Sequence, residues 1–489
     1  MTILIVFTVF LVNLNKDTNQ NKVGKLVLFC AAGMQPAVMK IIDEYEKEYS
    51  VKIEAQYGGS GTLLSQMRTH QNADLYLAAD YSYIELAREY GLIEERIPVL
   101  NLAAGLVVEK GNPKNIKSIK DVLKHKNVKL CLANPEAASV GKFTKKILKK
   151  NNVWNEIDTL VKKNGTYTLT VNELANHVKL KSMDAGIVWD AVAGQYEELE
   201  WLPLPEFEKH IKETTIAITK KTSLPTQALH FARYLTAKEK GLKLFKQYGY
   251  KTVEGDTWSS KPELEIFSGG MLRPAIEKSL KEFSKREGIS INTVYNGCGI
   301  LVAKMKAGAK PDLYYSCDTK FMDDVQDMFY GSRVISKNDM VIAIPNSKKE
   351  DIKSVEDLMK KGVQVGLAHP DKSALGFLTK ELLKELKLYE KIKTNVVTQA
   401  ATGDFLINQI ALHSLDAVIV YRSNFMASPS VHDICSIVEI KGADASATQP
   451  YAVSKTNPYP RLSKRLTDFI HQRSNKFIQF GFQWVEAKQ

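Results

Sequence analysis

The sequence predicts an α/β protein made of two tandem copies of one domain, each copy formed of two α/β lobes with a ligand cleft between them. Three observations carry this. The first half lies on the second at a nearly constant offset, short apolar runs alternate with helical periodicity inside each half, and glycine-rich or small-residue turns stand where those runs give way to helices. Phe29 pairs with Phe267 and Pro36 with Pro274, and at the same offset of 238 Tyr57-Gly58-Gly59-Ser60-Gly61 falls on Tyr295-Asn296-Gly297-Cys298-Gly299. Ala73-Asp74-Leu75-Tyr76 likewise falls on Pro311-Asp312-Leu313-Tyr314. The offset shrinks to 235 where Leu132-Ala133-Asn134-Pro135 meets Leu367-Ala368-His369-Pro370, and to 232 where Asp184 to Trp189 meets Asp416 to Tyr421. A net deletion of six residues therefore separates copies spanning 24–250 and 263–489, and the polar, Gly- and Pro-containing segment 251–262 is the expected linker.

In the first copy Leu26 to Phe29 reads as a buried strand, and Met34, Val38, Ile41, Ile42, Tyr45 and Tyr49 make one apolar face of a helix opened by Pro36. A second strand, Val51 to Tyr57, runs into the glycine-rich turn and a helix beginning near Leu63. Asp74 to Ala78 is the third strand. Leu102 to Val108 and Val128 to Leu132 form a central apolar pair. A second loop-to-helix entry follows at Ser139-Val140-Gly141, with its helix from Phe143, and the chain returns through the strand Gly186 to Trp189. Strand-turn-helix units place their loops, and any ligand, at the carboxyl ends of the strands.

At 489 residues the chain is too long for one ordinary domain, and 44% hydrophobic with 25% charged residues is the balance of a soluble globular protein. That balance excludes wholesale disorder and a multi-span membrane protein. The net charge is +12, yet only 11 of the 67 basic residues are Arg and the lysines are scattered along helical stretches. A nucleic-acid groove favours clustered Arg with interleaved aromatics, so no nucleic-acid partner is expected and a field that attracts small anions is.

Residues 1–23 combine an apolar run, Ile3 to Val12, with a polar spacer. The run is too short to span a bilayer and has the length of a signal-peptide core, although the basic leader and the small-x-small cleavage site are missing. Export is the expectation, with a short membrane anchor as the alternative. The five cysteines, Cys30, Cys131, Cys298, Cys317 and Cys435, form no CxxC and no Cys/His cluster, which argues against a zinc site and a disulfide framework. They read as buried small hydrophobes.

The turn Tyr57 to Thr62 puts mobile backbone and two hydroxyls at a helix entrance, where free N–H groups and the positive end of the helix dipole can hold an anion without a full charge. Taken alone it is equally a plain turn, and it is not a P-loop, because the chain has no GxxxxGK[ST]. Ala137 to Gly141 repeats the arrangement, and two such entrances in one domain suggest a cleft between lobes. Trp189, ending an apolar strand, reads as core or as an aromatic wall. Catalytic readings are poorer: no HExxH, no GxSxG and no activated nucleophile is present, and Asp74, Asp80, Asp190, Asp312 and Asp318 are placed as N-caps or turn residues. No enzyme, no cofactor and no metal is expected.

The ordered loops identify a resemblance. Each copy resembles the periplasmic molybdate-binding proteins of ABC importers, within the type II periplasmic solute-binding family. The first copy carries it through LVLFCAAGMQPAV (26 to 38), YGGSGTLLSQM (57 to 67), ADLYLAAD (73 to 80), LANPEAASVGKF (132 to 143), DAGIVW (184 to 189) and FKQYGY (245 to 250). The second matches with IFSGGMLRPAI (266 to 276), YNGCGILVAKM (295 to 305), PDLYYSCD (311 to 318), LAHPDKSALGF (367 to 377), DAVIVY (416 to 421) and FIQFGF (477 to 482).

The resemblance implies lobes that close over a tetrahedral oxyanion such as molybdate or tungstate, held by neutral donors. It assigns the first-loop position to Gly33, a departure that removes a hydroxyl, the glycine-turn serine to Ser60, backbone N–H groups to Val140 and Val171, and a tyrosine position to Trp189. In the second copy the same positions are Met271, Cys298, Leu375, Gly403 and Tyr421. A thiol is a weaker donor than a hydroxyl, so the second site is expected to be divergent in ligand or vestigial. Arg273 and Arg422, where the first copy has Gln35 and Asp190, are candidates for compensating charge and equally for solvated surface residues.

The expected function is that of a periplasmic, or otherwise extracytoplasmic, protein that captures the oxyanion for an ABC transporter permease, touching the membrane only through that partner or an N-terminal anchor. The alternative is a sensor or regulatory binding protein for another small anion or metabolite.

Overall fold

The computed structural model describes residues 24–69, 72–125 and 127–486. The apolar run Ile3 to Val12 lies outside them. The first copy begins with β1 (Leu26–Ala31), α1 (Gln35–Tyr49), β2 (Ile53–Gly58), α2 (Ser60–Arg68), β3 (Leu75–Ala78) and α3 (Tyr81–Glu89). Then come β4 (Ile93–Leu102), β5 (Ala104–Glu109), α4 (Ile119–Lys124), β6 (Leu130–Ala133), α5 (Ser139–Lys150), α6 (Trp154–Asn164), β7 (Thr166–Thr168) and α7 (Val171–Lys179). β8 (Ala185–Trp189), α8 (Asp190–Ala193), β9 (Leu199–Pro203), β10 (Lys212–Thr219), α9 (Pro225–Leu235), α10 (Gly241–Gln247) and β11 (Lys251–Thr252) follow.

The second copy repeats the plan with β12 (Glu263–Gly269), α11 (Arg273–Glu287), β13 (Ser290–Asn296), α12 (Cys298–Lys306), β14 (Leu313–Tyr315) and α13 (Thr319–Asp323). It continues through β15 (Arg333–Pro345), β16 (Val365–Ala368), α14 (Ala374–Glu385), α15 (Tyr389–Lys393), β17 (Val396–Ala400), α16 (Gly403–Ala411), β18 (Ala417–Tyr421) and α17 (Arg422–Met426). β19 (Cys435–Glu439), β20 (Ser446–Val453), α18 (Pro460–His471), α19 (Ser474–Gln479) and β21 (Gln483–Trp484) end it. Among the described residues no helix is long and apolar enough to cross a membrane.

By its internal contacts the chain divides into two compact units. One holds the described residues up to Arg96 with Ala103–His210 and Ala217–Leu224; the other holds Ile97–Leu102, Ile211–Ile216 and everything from Pro225 onward. In the first unit β1 pairs in parallel with β2 and β3, with Cys30 opposite Tyr57. A second sheet runs β7-β6-β8-β5-β9, with β6 parallel to β7 and β8 and with β5 antiparallel to β8 and β9. These sheets are the cores of the two lobes. In the second unit ten strands form one sheet, and β15 threads it: its residues up to Asp339 pair with β20, and Met340 to Ala343 pair with β18. The first copy breaks the same passage into β4 and β5 at Ala103.

Helix α1 follows its predicted stripe: Met34, Val38, Ile41 and Tyr45 are buried, Pro36 opens the helix, and Ser50 closes it in the left-handed region. Gly288 closes α11 the same way. Two helices start earlier than predicted. α2 begins at Ser60 instead of near Leu63, and α5 at Ser139 instead of Phe143. Ser60-Gly61-Thr62 and Ser139-Val140-Gly141 show too little apolar periodicity to be read as helix, yet Gly59 and Ala138 are the last extended residues. Leu63, Leu64 and Met67 of α2 then pack with Tyr76, Tyr83 and Ile84.

Candidate functional site

The five first-copy candidates lie at strand ends and helix starts of the first unit. Gly33 is in the short 3-10 turn Ala32–Met34 between β1 and α1, Ser60 is the first residue of α2, Val140 the second of α5, Val171 the first of α7, and Trp189 the last of β8. The start of α2 meets the loops that lead into α5 and α7. The N–H groups of Gly61 and Thr62 donate to the Ala137 carbonyl at 2.8 and 3.3 Å. A Cβ on Gly59 would collide with the carbonyls of Ala137 and Leu169, and one on Gly61 with those of Glu136 and Ala137. The two glycines are therefore required by close approach of the opposite lobe, a constraint that a loop-only reading of the sequence does not contain.

Gly33 joins the same seam. A Cβ there would lie 3.0 Å from Val171 Cγ1 and 3.0 Å from Val192 Cγ2, and the Gly33 carbonyl accepts a hydrogen bond from Gln195 Nε2 at 3.1 Å. The space that a first-loop side chain would fill is thus taken by two valines. Ser60 is 1% exposed. Its Oγ accepts from the Ala79 N–H at 3.2 Å and its carbonyl accepts from Tyr76 Oη at 2.7 Å, so the hydroxyl keeps its own proton to donate. Thr170 caps α7: its Oγ1 accepts from the Glu173 N–H at 3.2 Å, and Glu173 Oε2 accepts from the Leu169 and Thr170 N–H groups. The structure places Trp189 in the second lobe's packing, stacked on Phe143 at 5.9 Å. Asp190, next to it, pins the strand passage by accepting from the Ala103 N–H at 3.2 Å.

The second copy keeps the frame and changes its lining. Met271 is in the turn Gly270–Leu272, Cys298 is the first residue of α12, Leu375 the second of α14, Gly403 the first of α16, and Tyr421 the last of β18. A Cβ on Gly297 would collide with Lys372 and Ala401 carbonyls, and one on Gly299 with Asp371, which repeats the seam of the first copy. Asn424 replaces Val192; its Oδ1 accepts from the Tyr421 N–H at 3.1 Å and its Nδ2 donates to Asp404 Oδ1 at 2.8 Å. Asp404 stands where the first copy has Asn172. The two arginines are paired with carboxylates: Arg422 Nη2 donates to Glu439 at 2.6 and 2.7 Å, and Arg273 Nη2 donates to Glu277 at 3.3 Å.

Besides Tyr421, which the sequence already marked as a candidate, three groups at or beside these seams had no separate signal in the sequence. Tyr57 Oη and Asn172 Oδ1 in the first unit, and Tyr295 Oη and Tyr421 Oη in the second, are buried without a hydrogen-bond partner among the described residues. Burial pushes the Tyr421 phenol well up, which keeps it a neutral donor. Laying Asn172 on Asp404 is the comparison that exposes this pair in the repeat. Asp80 and Asp318 cap α3 and α13 as expected, whereas Asp74 and Asp312 bond across to the neighbouring strand, accepting from the N–H groups of Val27 and Glu265, each at 2.8 Å.

Comparison with known proteins follows the same division. The bacterial extracellular solute-binding protein family matches twice, over residues 26–251 and 264–483. The candidate ABC transporter substrate-binding lipoprotein YvgL of Bacillus subtilis is 25% identical over 238 residues, 48% of this chain and 89% of the relative. The molybdate-binding protein ModA of Escherichia coli is 26% identical over 245 residues, 47% of this chain and 92% of its own. Among solved structures, the periplasmic molybdate-binding protein of Azotobacter vinelandii aligns over 47% of this chain and 100% of its own, at 16% identity and a TM-score of 0.40. The chain belongs to the bacterial extracellular solute-binding protein family, which it matches twice in tandem, each match over an α/β stretch of the chain.

Proposed function

We propose that the chain is an extracytoplasmic substrate-binding protein whose first domain captures a small tetrahedral oxyanion, molybdate or tungstate, and delivers it to the permease of an ABC importer. The observation that carries this reading is the meeting of the start of α2 with the loops that open α5 and α7, with Ser60 buried at the first position of α2. Helix starts present N–H groups that have no partner inside the helix, at the positive end of the dipole. A dianion is held there by neutral donors, here the Ser60 hydroxyl and the backbone N–H groups at Val140 and Val171, with no counter-charge required. Relatives named as molybdate-binding and ABC transporter substrate-binding proteins support the ligand class and the partner. Capture, lobe closure and release make the whole cycle, without a chemical step.

The second domain takes a different ligand or none. Cys298 donates more weakly than a serine, and Asp404 brings a carboxylate to the position of Asn172, which a dianion opposes. Calorimetric titration of the intact chain with molybdate, tungstate, sulfate and phosphate tests the reading. One of the first two is expected to bind, and Ser60→Ala to weaken it by about 1.5–3 kcal/mol, roughly ten- to hundredfold. Absence of binding by all four anions, or an unchanged affinity in Ser60→Ala, overturns it.

A further inference from the structure

The start of α12 carries a feature that the start of α2 lacks. Ser60 and Ala79 of the first copy fall on Cys298 and Cys317 of the second. The polar geometry is retained, because the Cys317 N–H donates to Cys298 Sγ at 3.1 Å just as the Ala79 N–H donates to Ser60 Oγ at 3.2 Å. The second sulfur is new. Cys317 Sγ lies 2.8 Å from Cys298 Sγ, less than about 1 Å beyond the covalent sulfur–sulfur distance. Both side chains are buried, and a Cβ on Gly269 would collide with Cys317 Sγ, so the backbone at the end of β12 leaves the two sulfurs facing one another with nothing between them.

The surroundings also differentiate the two thiols. Burial pushes Cys298 up, but the Cys317 thiol beside it and the Cys317 N–H, which donates to its Sγ at 3.1 Å, bring it below its ordinary value. Cys317 is pushed well up by its contact with Cys298 and by burial. Cys30, Cys131 and Cys435 are only pushed up by burial, Cys131 with a small contribution from Glu173. Two thiols at this separation, one to attack a disulfide and the other to resolve the mixed disulfide, are the arrangement that exchanges with disulfides.

We infer that Cys298 and Cys317 form a reversible dithiol–disulfide site in the second domain, oxidised by small-molecule disulfides. The Cys298 thiolate attacks one sulfur of a disulfide RSSR, breaks that bond, becomes Cys298–S–S–R and releases RS⁻, which takes up a proton. Cys317 loses its proton to solvent and attacks Cys298 Sγ, which breaks the mixed bond, forms the intramolecular disulfide and releases the second RS⁻. Two protein thiols are oxidised by two electrons and one small disulfide is reduced to two thiols. Oxidation ties the start of α12 to the loop after β14 and removes the Cys298 thiol as a donor, so the second cleft exists in two chemical forms.

The test uses the full chain, reduced, freed of reductant and exposed to oxidised glutathione before unfolding, alkylation with iodoacetamide and peptide mapping. The expected result is a fall in free thiols from five to three, with one disulfide joining Cys298 to Cys317, and restoration of all five by dithiothreitol. Cys317→Ala is expected to stop at a glutathione adduct on Cys298. The double variant Cys298→Ser/Cys317→Ala, which reproduces the Ser60–Ala79 pair, is expected to fold as the parent does and to keep its three thiols alkylatable. Recovery of Cys298 and Cys317 as alkylated thiols from the treated parent chain, or a disulfide that joins any other pair, overturns the inference.

Discussion

Gly59 shows why a residue-scale reading of a glycine turn is incomplete. Its backbone, φ −65° and ψ 141°, suits any amino acid, so no left-handed strain calls for glycine. The requirement comes from across the seam, where Ala137 and Leu169 carbonyls occupy the space a Cβ would need. Gly59→Ala is therefore expected to leave each lobe folded and to oppose closure, with the thermal midpoint of the unliganded chain nearly unchanged and oxyanion affinity reduced at least about tenfold. Titration beside a circular-dichroism melt measures both; undiminished affinity would show that this seam is not the ligand-bound arrangement. The position of Ser60 at a helix entrance was legible in the glycine-rich turn, and its role toward a ligand is part of the proposal. Cys317, Asn172 and Gln195 were not legible, because each acquires its role from a residue brought up by tertiary packing: Cys317 from Cys298, Asn172 from the first loop, and Gln195 from the Gly33 carbonyl.

At the scale of elements, the apolar runs located six strands of the first copy and passed over β4, β7, β9 and β10, and helix starts differed because the first turns of α2 and α5 are made of small and polar residues whose helicity is fixed by the extended residue before them. Caps were the better guide, and Asp318 at the start of α13 makes a quantitative case. It is 7% exposed, and burial holds its carboxyl above the usual range despite hydrogen bonds from the backbone N–H groups of Lys320, Thr448 and Thr319. A folded-state value above the unfolded one means that the folded chain binds this proton more tightly. The group's contribution to stability is then full below the ordinary carboxylate range, near about 3.9, and is lost as pH rises through the raised value. Asp318→Asn keeps an oxygen that accepts from the Lys320 N–H and removes the ionisation. The variant is expected to melt higher than the parent at pH 7, with the difference between the two shrinking toward acid pH, where Asp318 is protonated. A difference in midpoint that grows as pH falls would reverse the assignment.

At the scale of the whole chain, the duplication was readable because a constant offset needs no knowledge of contacts. Packing then follows lines that periodicity does not mark. α9 and α10, from the first copy's sequence, and the segment 251–262 lie in the second contact unit. Asp256, in that expected linker, accepts from the N–H groups of Arg461 and Leu462 at 2.8 and 2.9 Å and so holds the start of α18, while the Thr257 N–H donates to the Pro458 carbonyl at 3.0 Å. α9 is bound to α11 by a buried charge group. Arg233 Nη1 donates to Glu287 Oε2 at 2.9 Å and to the Glu287 carbonyl at 2.7 Å, and Arg465 of α18 reaches the same carboxylate, with Glu287 1% exposed and Arg233 8%. One carboxylate between two guanidiniums is compensated only while it stays ionised and in place. Glu287→Gln keeps the volume but removes the charge, which leaves two cations facing each other in a site of low exposure; breaking a buried pair from one side costs about 3–5 kcal/mol. Denaturant unfolding of the intact chain is expected to show a loss of that size in the transition that contains the second unit, with the first unit's transition unmoved. A loss under about 1 kcal/mol, the range of solvent-exposed pairs, would mean that α9 is held on α11 by contacts other than this charge group.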